Sequence, residues 1–293
     1  MKRALILIAS AMLTLPAQAV TVLTSIKPIQ LVVAELTQGV TEPEVLLQSN
    51  TSPHDYALRP SDVKKVASAD LVIWYGHDLE PFLEKVVAEK ANTMTISDIP
   101  DLSLREFDNE HNHDHDGHNH GSYDPHFWLG VEPVKQVANA LTEKLIEIDS
   151  TNANKYRENL SHFEAQLAAT DSEIKRKLDT VKDKGYFVFH DAYGYFEQRY
   201  QLNQLGAFTV SPDRKPGAKT LIEIRKALSS GDVACVFSEP QFTPAVVESV
   251  MRGSNVAKGE LDPLGSSVES KPGSYFTFLS GMADSFEQCL GNK

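Results

Sequence analysis

Apolar positions along this chain fall into two kinds of run, and the two alternate from residue 20 to the end. Short stretches of β-branched and aromatic residues suit strands, and stretches whose apolar positions return every three or four residues suit helices. Thr21 to Ser25 predicts a strand, and Pro28 to Leu36 a helix with Pro in its first turn and Gly39 beyond its end. Glu44 to Leu47 is a second strand, Ser61 caps a helix to about Ala67, and Leu71 to Tyr75 is a third strand. Glu80 to Lys90 then predicts a third helix and Thr93 to Ile96 a fourth strand. Strand and helix in this order imply a parallel sheet with helices on both faces.

Two longer helical patterns occupy the middle. Val131 to Ile148 is apolar at Val134, Val137, Ala138, Leu141, Leu145 and Ile148, and a second pattern runs from about Asn152 to Lys182. At about 1.5 Å per residue the second would be on the order of 45 Å long, more than either half needs, which marks it as a strut between two halves. The strand and helix order then repeats. Tyr186 to Phe189 is a strand ending in His190, Ala192 to Tyr200 a helix, Leu202 to Phe208 a strand and Gly217 to Leu228 a helix. Val233 to Phe237 is a buried strand, Thr243 to Met251 a helix, Val256 to Gly259 a strand, and Ser274 to Leu290 the closing helix. The expected class is α/β, with two parallel-sheet lobes joined by one long rigid helix. A first lobe over 20–150, a linking helix over 151–182 and a second lobe over 183–293 follow, with no fixed-period repeat.

The first nineteen residues stand apart. Met1-Lys2-Arg3, an apolar run from Ala4 to Leu15 and Ala17-Gln18-Ala19 make the three-part form of a secretory signal, so cleavage is expected after Ala19. The run is too short to span a bilayer, and no cysteine follows the cleavage point to carry a lipid, so a periplasmic protein without membrane insertion is expected. The formal net charge of −12 becomes two units more negative once Lys2 and Arg3 are removed. Nucleic acid is thereby excluded as a partner, since phosphate binding needs a basic footprint, whereas cations are attracted. Cys235 and Cys289 are the only cysteines, and in an exported chain such a pair is most simply a disulfide, although a thiolate metal pair is the alternative.

Residues 108–121 break every folding pattern. Five histidines, His111, His113, His115, His118 and His120, are separated only by Asn, Asp and Gly, so no apolar face exists at either period. Such a tract is compositionally a metal-binding segment of accessory, low-affinity character. Its interior position and its interleaved acids distinguish it from an affinity tag. Beyond it, Asp124-Pro125-His126-Phe127-Trp128 sets one more histidine among large apolar residues.

Three histidines outside the tract occupy comparable places: His54 in a loop after a strand, His126, and His190 at a strand end. In open α/β sheets ligands collect at the carboxyl ends of strands, so all three can face one cleft. Three neutral imidazoles suit Zn²⁺ in a four-coordinate site. For the fourth position Asp262, at a predicted strand end of the second lobe, is the first candidate and Glu239 the second, each with a second-shell or turn role as the alternative. His77-Asp78 opens a predicted helix and suits a surface role, and His162 suits a solvated place on the long helix. Enzyme signatures are thin, with no Gly-rich phosphate loop, His-Glu-x-x-His or Gly-x-Ser-x-Gly elbow.

At these residues the chain resembles a known family, the metal-specific solute-binding proteins of ABC importers, most closely its periplasmic zinc-uptake (ZnuA) type. The resemblance covers nearly the whole mature chain and rests on Ser52-Pro53-His54-Asp55-Tyr56, Asp124-Pro125-His126-Phe127-Trp128, Phe189-His190-Asp191-Ala192-Tyr193, Ser238-Glu239-Pro240 and Leu261-Asp262-Pro263-Leu264-Gly265. It implies two α/β lobes joined by one long helix, metal between them, and a histidine-rich loop beside the site. The family's three histidine ligands fall on His54, His126 and His190. Some zinc members carry an acid before the first of these; here it is Pro53, which leaves Asp262, water or a tract histidine for the fourth place.

The expected function is therefore a non-enzymatic, monomeric zinc carrier that hands Zn²⁺ to a membrane permease driven by a cytoplasmic ATPase. Capture needs deprotonated imidazoles, so binding should weaken below about pH 6.5. A zinc hydrolase or hydratase built on the three histidines, and a zinc-binding adhesin on the same scaffold, are the rival readings.

Overall fold

A computed structural model describes residues 20–48, 50–107, 123–210, 212 and 215–291. The expected leader over 1–19 and the tract histidines His111, His113, His115, His118 and His120 lie outside the described residues. The first lobe contains β1 (Val22–Thr24), α1 (Lys27–Leu36), β2 (Glu44–Val45), α2 (Pro60–Ser68), β3 (Leu71–Trp74), α3 (Glu84–Val87) and β4 (Thr93–Thr95). Two long helices follow, α4 (Val131–Ile148) and α5 (Ala153–Leu178). The second lobe contains β5 (Gly185–His190), α6 (Gly194–Tyr200), β6 (Gln204–Thr209), α7 (Ala218–Leu228), β7 (Val233–Ser238), α8 (Ala245–Met251), β8 (Ala257–Glu260) and α9 (Ser274–Gly291).

Each lobe carries one four-stranded sheet, ordered β2-β1-β3-β4 in the first and β6-β5-β7-β8 in the second, with every pairing parallel. The central strands are apolar on both sides because helices cover both faces: every residue of β1, β3 and β5 is buried. In both sheets the chain steps outward from the first strand and then crosses back over it. That reversal leaves a crevice at the carboxyl ends of the strands, where ligands gather.

Three local expectations need correction. Ser61 does not cap α2, because Pro60, which lacks an N–H, opens the helix one residue earlier; Asp62 instead accepts the Arg59 N–H at 2.8 Å and the Tyr56 hydroxyl at 2.8 Å. The third helix is reduced to Glu84–Val87, since the segment before it closes in short turns such as Leu83 N–H to Glu80 C=O and Glu84 N–H to Pro81 C=O. The strut spans Ala153–Leu178 rather than 152–182; its 26 residues make it roughly 39 Å long. It ends after three cations, Lys175, Arg176 and Lys177, which suit the negative end of a helix dipole.

The strut holds one lobe at each end. Near its start the Asn159 amide donates to the Leu36 and Gln38 carbonyls at 2.9 Å each, closing the end of α1. Near its end Asp171 accepts from Arg199 Nε at 2.9 Å and from the Tyr200 hydroxyl at 3.1 Å, fixing α6. A second connection runs beside it. The Glu35 carboxylate on α1 accepts the Gly273 and Tyr275 N–H groups at 3.0 and 3.3 Å at the start of α9, where an anion is favoured. Trp128 adds a third, donating its indole N–H to the Pro263 carbonyl at 2.8 Å while its own carbonyl accepts from the Tyr275 hydroxyl at 2.7 Å. One hydrophobic core continues through both lobes along these joints.

The two cysteines are bonded as expected. Cys235 in β7 and Cys289 in α9 form a disulfide with their Cα atoms 6.0 Å apart, which pins the closing helix to the second sheet. Among the described residues no helix is long and apolar enough to cross a membrane.

One buried acid belongs to the scaffold rather than to the cleft. Glu80 is fully buried at the end of the first sheet, where it accepts the Tyr75 N–H at 2.8 Å, and burial pushes its carboxyl up to about 7. A carboxyl raised on folding costs stability as the pH climbs from the unfolded value through the folded one, here from about 4.5 to about 7. Glu80→Gln keeps the acceptor and removes the charge. Urea unfolding of the zinc-free protein should find it more stable than wild type at pH 8, by up to about 3 kcal/mol, and equal near pH 4.

Candidate metal centre

Three imidazoles from three different elements meet between the lobes. His190 is the last residue of β5, the strand at which the second sheet reverses direction, so its side chain enters the crevice at that point. His126 stands just before the short 3₁₀ turn Phe127–Leu129 that leads into α4. His54 lies in the loop between β2 and α2. Ring centroids are 5.7 Å apart for His54 and His126, 5.1 Å for His54 and His190, and 4.9 Å for His126 and His190. A ligand nitrogen from each lies within 4.8 Å of the other two. His126 and His190 are 3 % and 2 % exposed, while His54 is half-buried on the solvent side.

A buried acid stands behind each of the two deep rings. Asp124, fully buried, has Oδ1 at 2.7 Å from His126 Nδ1 and accepts the His126 backbone N–H at 3.0 Å with the same oxygen. An ionised carboxylate only accepts, so this contact places the ring proton on Nδ1 and leaves Nε2 with a lone pair for a cation. Glu239, which follows β7, has Oε1 at 3.6 Å from His190 Nδ1 and accepts the Tyr193 hydroxyl at 2.9 Å. Burial pushes the Glu239 carboxyl up to about 8, against the pull of the Tyr193 hydrogen bond. Trp128 packs edge-on against His126 at 5.2 Å, and Pro53, Phe242 and Leu264 complete an apolar wall. The dry wall strengthens any electrostatic contact made inside it.

Asp262 is not part of this group, contrary to expectation. Its Oδ1 accepts Gln241 Nε2 at 2.7 Å and the Leu264 N–H at 3.1 Å, and its Oδ2 accepts the Ser266 N–H at 2.6 Å and the Ser266 hydroxyl at 2.5 Å. Four donors thus commit the carboxylate to the turn after β8. Glu239, the second candidate, is the nearer acid but backs His190 rather than joining the group; among the described residues that group comprises the three histidines alone. His77 pairs with Glu84 at 3.1 Å on the surface, and His162 is exposed on α5, both as expected.

Asp124 was the missed participant. Its signal was available in the sequence: a carboxylate two residues before a histidine, with Pro125 between, in a segment otherwise apolar. Such an acid reaches the near ring nitrogen when the chain turns between them.

The chemistry on offer is nitrogen donation from three imidazoles, in a cleft too dry and too poor in converging oxygens for Mg²⁺ or Ca²⁺. Comparisons with known proteins agree with that reading. Residues 22–289 match the family described as zinc-uptake complex component A, periplasmic (ZnuA). The high-affinity zinc uptake system protein ZnuA of Yersinia pestis is 43% identical over 288 residues, covering 92% of this chain and 91% of its own length. That of Haemophilus ducreyi is 42% identical over 288 residues, with 92% and 93% covered. A crystal structure of ZnuA superposes with a TM-score of 0.79 at 25% identity, covering 93% of this chain and all of the other.

Asp124→Asn replaces the acceptor at His126 by an amide without changing its size. Competition titration against a chelator should show zinc affinity lowered by about 10- to 100-fold, with far-UV circular dichroism unchanged.

Proposed function

The chain belongs to the periplasmic zinc-uptake component A (ZnuA) family, and on that premise we propose that it captures Zn²⁺ between its lobes and delivers it to an ABC-type importer of the inner membrane. His54, His126 and His190 are the ligands in this reading. The observation that carries it is the meeting of their three ligand nitrogens within 4.8 Å, two from the first lobe and one from the second.

Zinc arrives as a hydrated cation drawn by an acidic chain. His54, the most exposed of the three, meets it first, and the two deeper rings complete the exchange of water for nitrogen. Asp124 holds His126 ready in the correct tautomer, so little rearrangement is left for the moment of binding. Three neutral nitrogens and no carboxylate in the group favour Zn²⁺ over Mn²⁺, whose preference leans to oxygen. With lobes tied by α5, by Glu35 and by Trp128, capture needs only small movements, and release follows docking on the permease.

The remaining roles follow from the same reading. Residues 1–19 direct export to the periplasm and are removed. The histidine tract, with His111, His113, His115, His118 and His120, gathers further zinc weakly beside the cleft, and the protein works as a monomer without turnover chemistry.

Native mass spectrometry of the mature protein titrated with Zn²⁺ tests the division of labour. Deleting residues 110–120 should lower the number of ions bound and leave the tightest one in place, whereas His126→Ala or His190→Ala should weaken that ion by more than about a hundredfold. Equal loss from the deletion and from the single substitutions would refute the assignment.

A further inference from the structure

The chain on either side of the histidine tract is tied together at its base. Glu106 and Tyr123 form an isolated antiparallel bridge, and the Asp124 N–H donates to the Arg105 carbonyl at 2.7 Å. Arg105 and Asp124 are thereby neighbours, although eighteen residues separate them in sequence. The Asp124 carboxylate is divided between two partners: Oδ1 takes His126 Nδ1, and Oδ2 takes Arg105 Nη1 at 3.1 Å.

The second lobe reaches the same point. The Arg105 N–H donates to the Tyr195 hydroxyl at 2.9 Å, and that hydroxyl donates to the Asp124 carbonyl at 2.8 Å. The Arg105 guanidinium also lies directly over Gly194, the first residue of α6. A Cβ at Gly194 would come within 2.4 Å of Arg105 Cζ and Nη1, so the absence of a side chain there makes room for the cation. One arginine therefore ties Asp124, behind His126, to Gly194 and Tyr195 of the second lobe.

We propose that Arg105 is a positioning residue for zinc retention: by fixing Asp124 it aims His126 at the cation, and by seating on Gly194 and Tyr195 it fixes the base of the histidine tract to the second lobe. The inference rests on the zinc-capture reading. Arg105 never touches the metal and acts through Asp124. Lysine is a poor substitute, because a point charge cannot both pair with the carboxylate and lie flat over the glycine.

The test is the rate at which zinc leaves the mature full-length protein, followed by stopped-flow mixing with an excess of chelator. Arg105→Ala should release zinc about tenfold faster than wild type. Gly194→Ala, whose Cβ displaces the guanidinium while suiting the helix, should do the same and serves independently if Arg105→Ala folds poorly. In an Asp124→Asn background the further change Arg105→Ala should add less than about threefold, because both act on one interaction. Full multiplication of the two effects would mean that Arg105 supports only the fold, and wild-type release from both Arg105→Ala and Gly194→Ala would also overturn the inference. A wild-type protein that holds no zinc would instead sink the capture reading, and this inference with it.

Discussion

The three imidazoles can share one cation only if the second lobe is held at a fixed distance from the first, because His190 belongs to one and His54 and His126 to the other. That distance is set by polar contacts at the lobe junction, on top of a continuous apolar core. Asn159 and Asp171 grip a different lobe from each end of the long helix, Glu35 caps α9 across the junction, and Trp128 bonds to both Pro263 and Tyr275. Buried hydrogen bonds of this kind are costly to leave unmade, so a hinge motion that separated the lobes widely would strand several donors and acceptors at once. The site is accordingly assembled in advance, and little binding energy is diverted to closing it.

Behind the rings lies a layer of buried acids. Asp124 and Glu239 back the two deep histidines, and Asp191 and Glu197 lie farther out in the second lobe with burial raising their carboxyls. Imidazoles in front and acids behind would offer a divalent ion nitrogen donors and a favourable field. Arg105 enters this layer from the first lobe, where its guanidinium pairs with Asp124 at 3.1 Å.

Much of this was legible in the sequence, for reasons that particular elements make plain. Strands such as Leu71–Trp74 and Gly185–His190 are buried on both faces, so they read as uninterrupted apolar runs; Val131–Ile148 presents a full helical stripe and was bounded to the residue. The meeting of His54, His126 and His190 followed from strand-end logic and from a family resemblance. Asp262 shows where that logic stops. A strand-end position brings a carboxylate near a cleft but says nothing about its lone pairs, and here the Asp262-Pro263-Leu264-Gly265-Ser266 turn uses them. Arg105 was not legible at all, since only the pairing of Glu106 with Tyr123 returns the chain to Asp124.

Zinc K-edge X-ray absorption on the mature protein loaded with one equivalent of Zn²⁺ addresses the coordination itself. Three imidazoles should appear as nitrogen scattering near about 2.0 Å with the outer-shell multiple scattering of histidine rings, in a four-coordinate fit. A spectrum dominated by oxygen ligands, or one that accommodates no more than a single imidazole, would contradict the convergence of the three histidines on one ion.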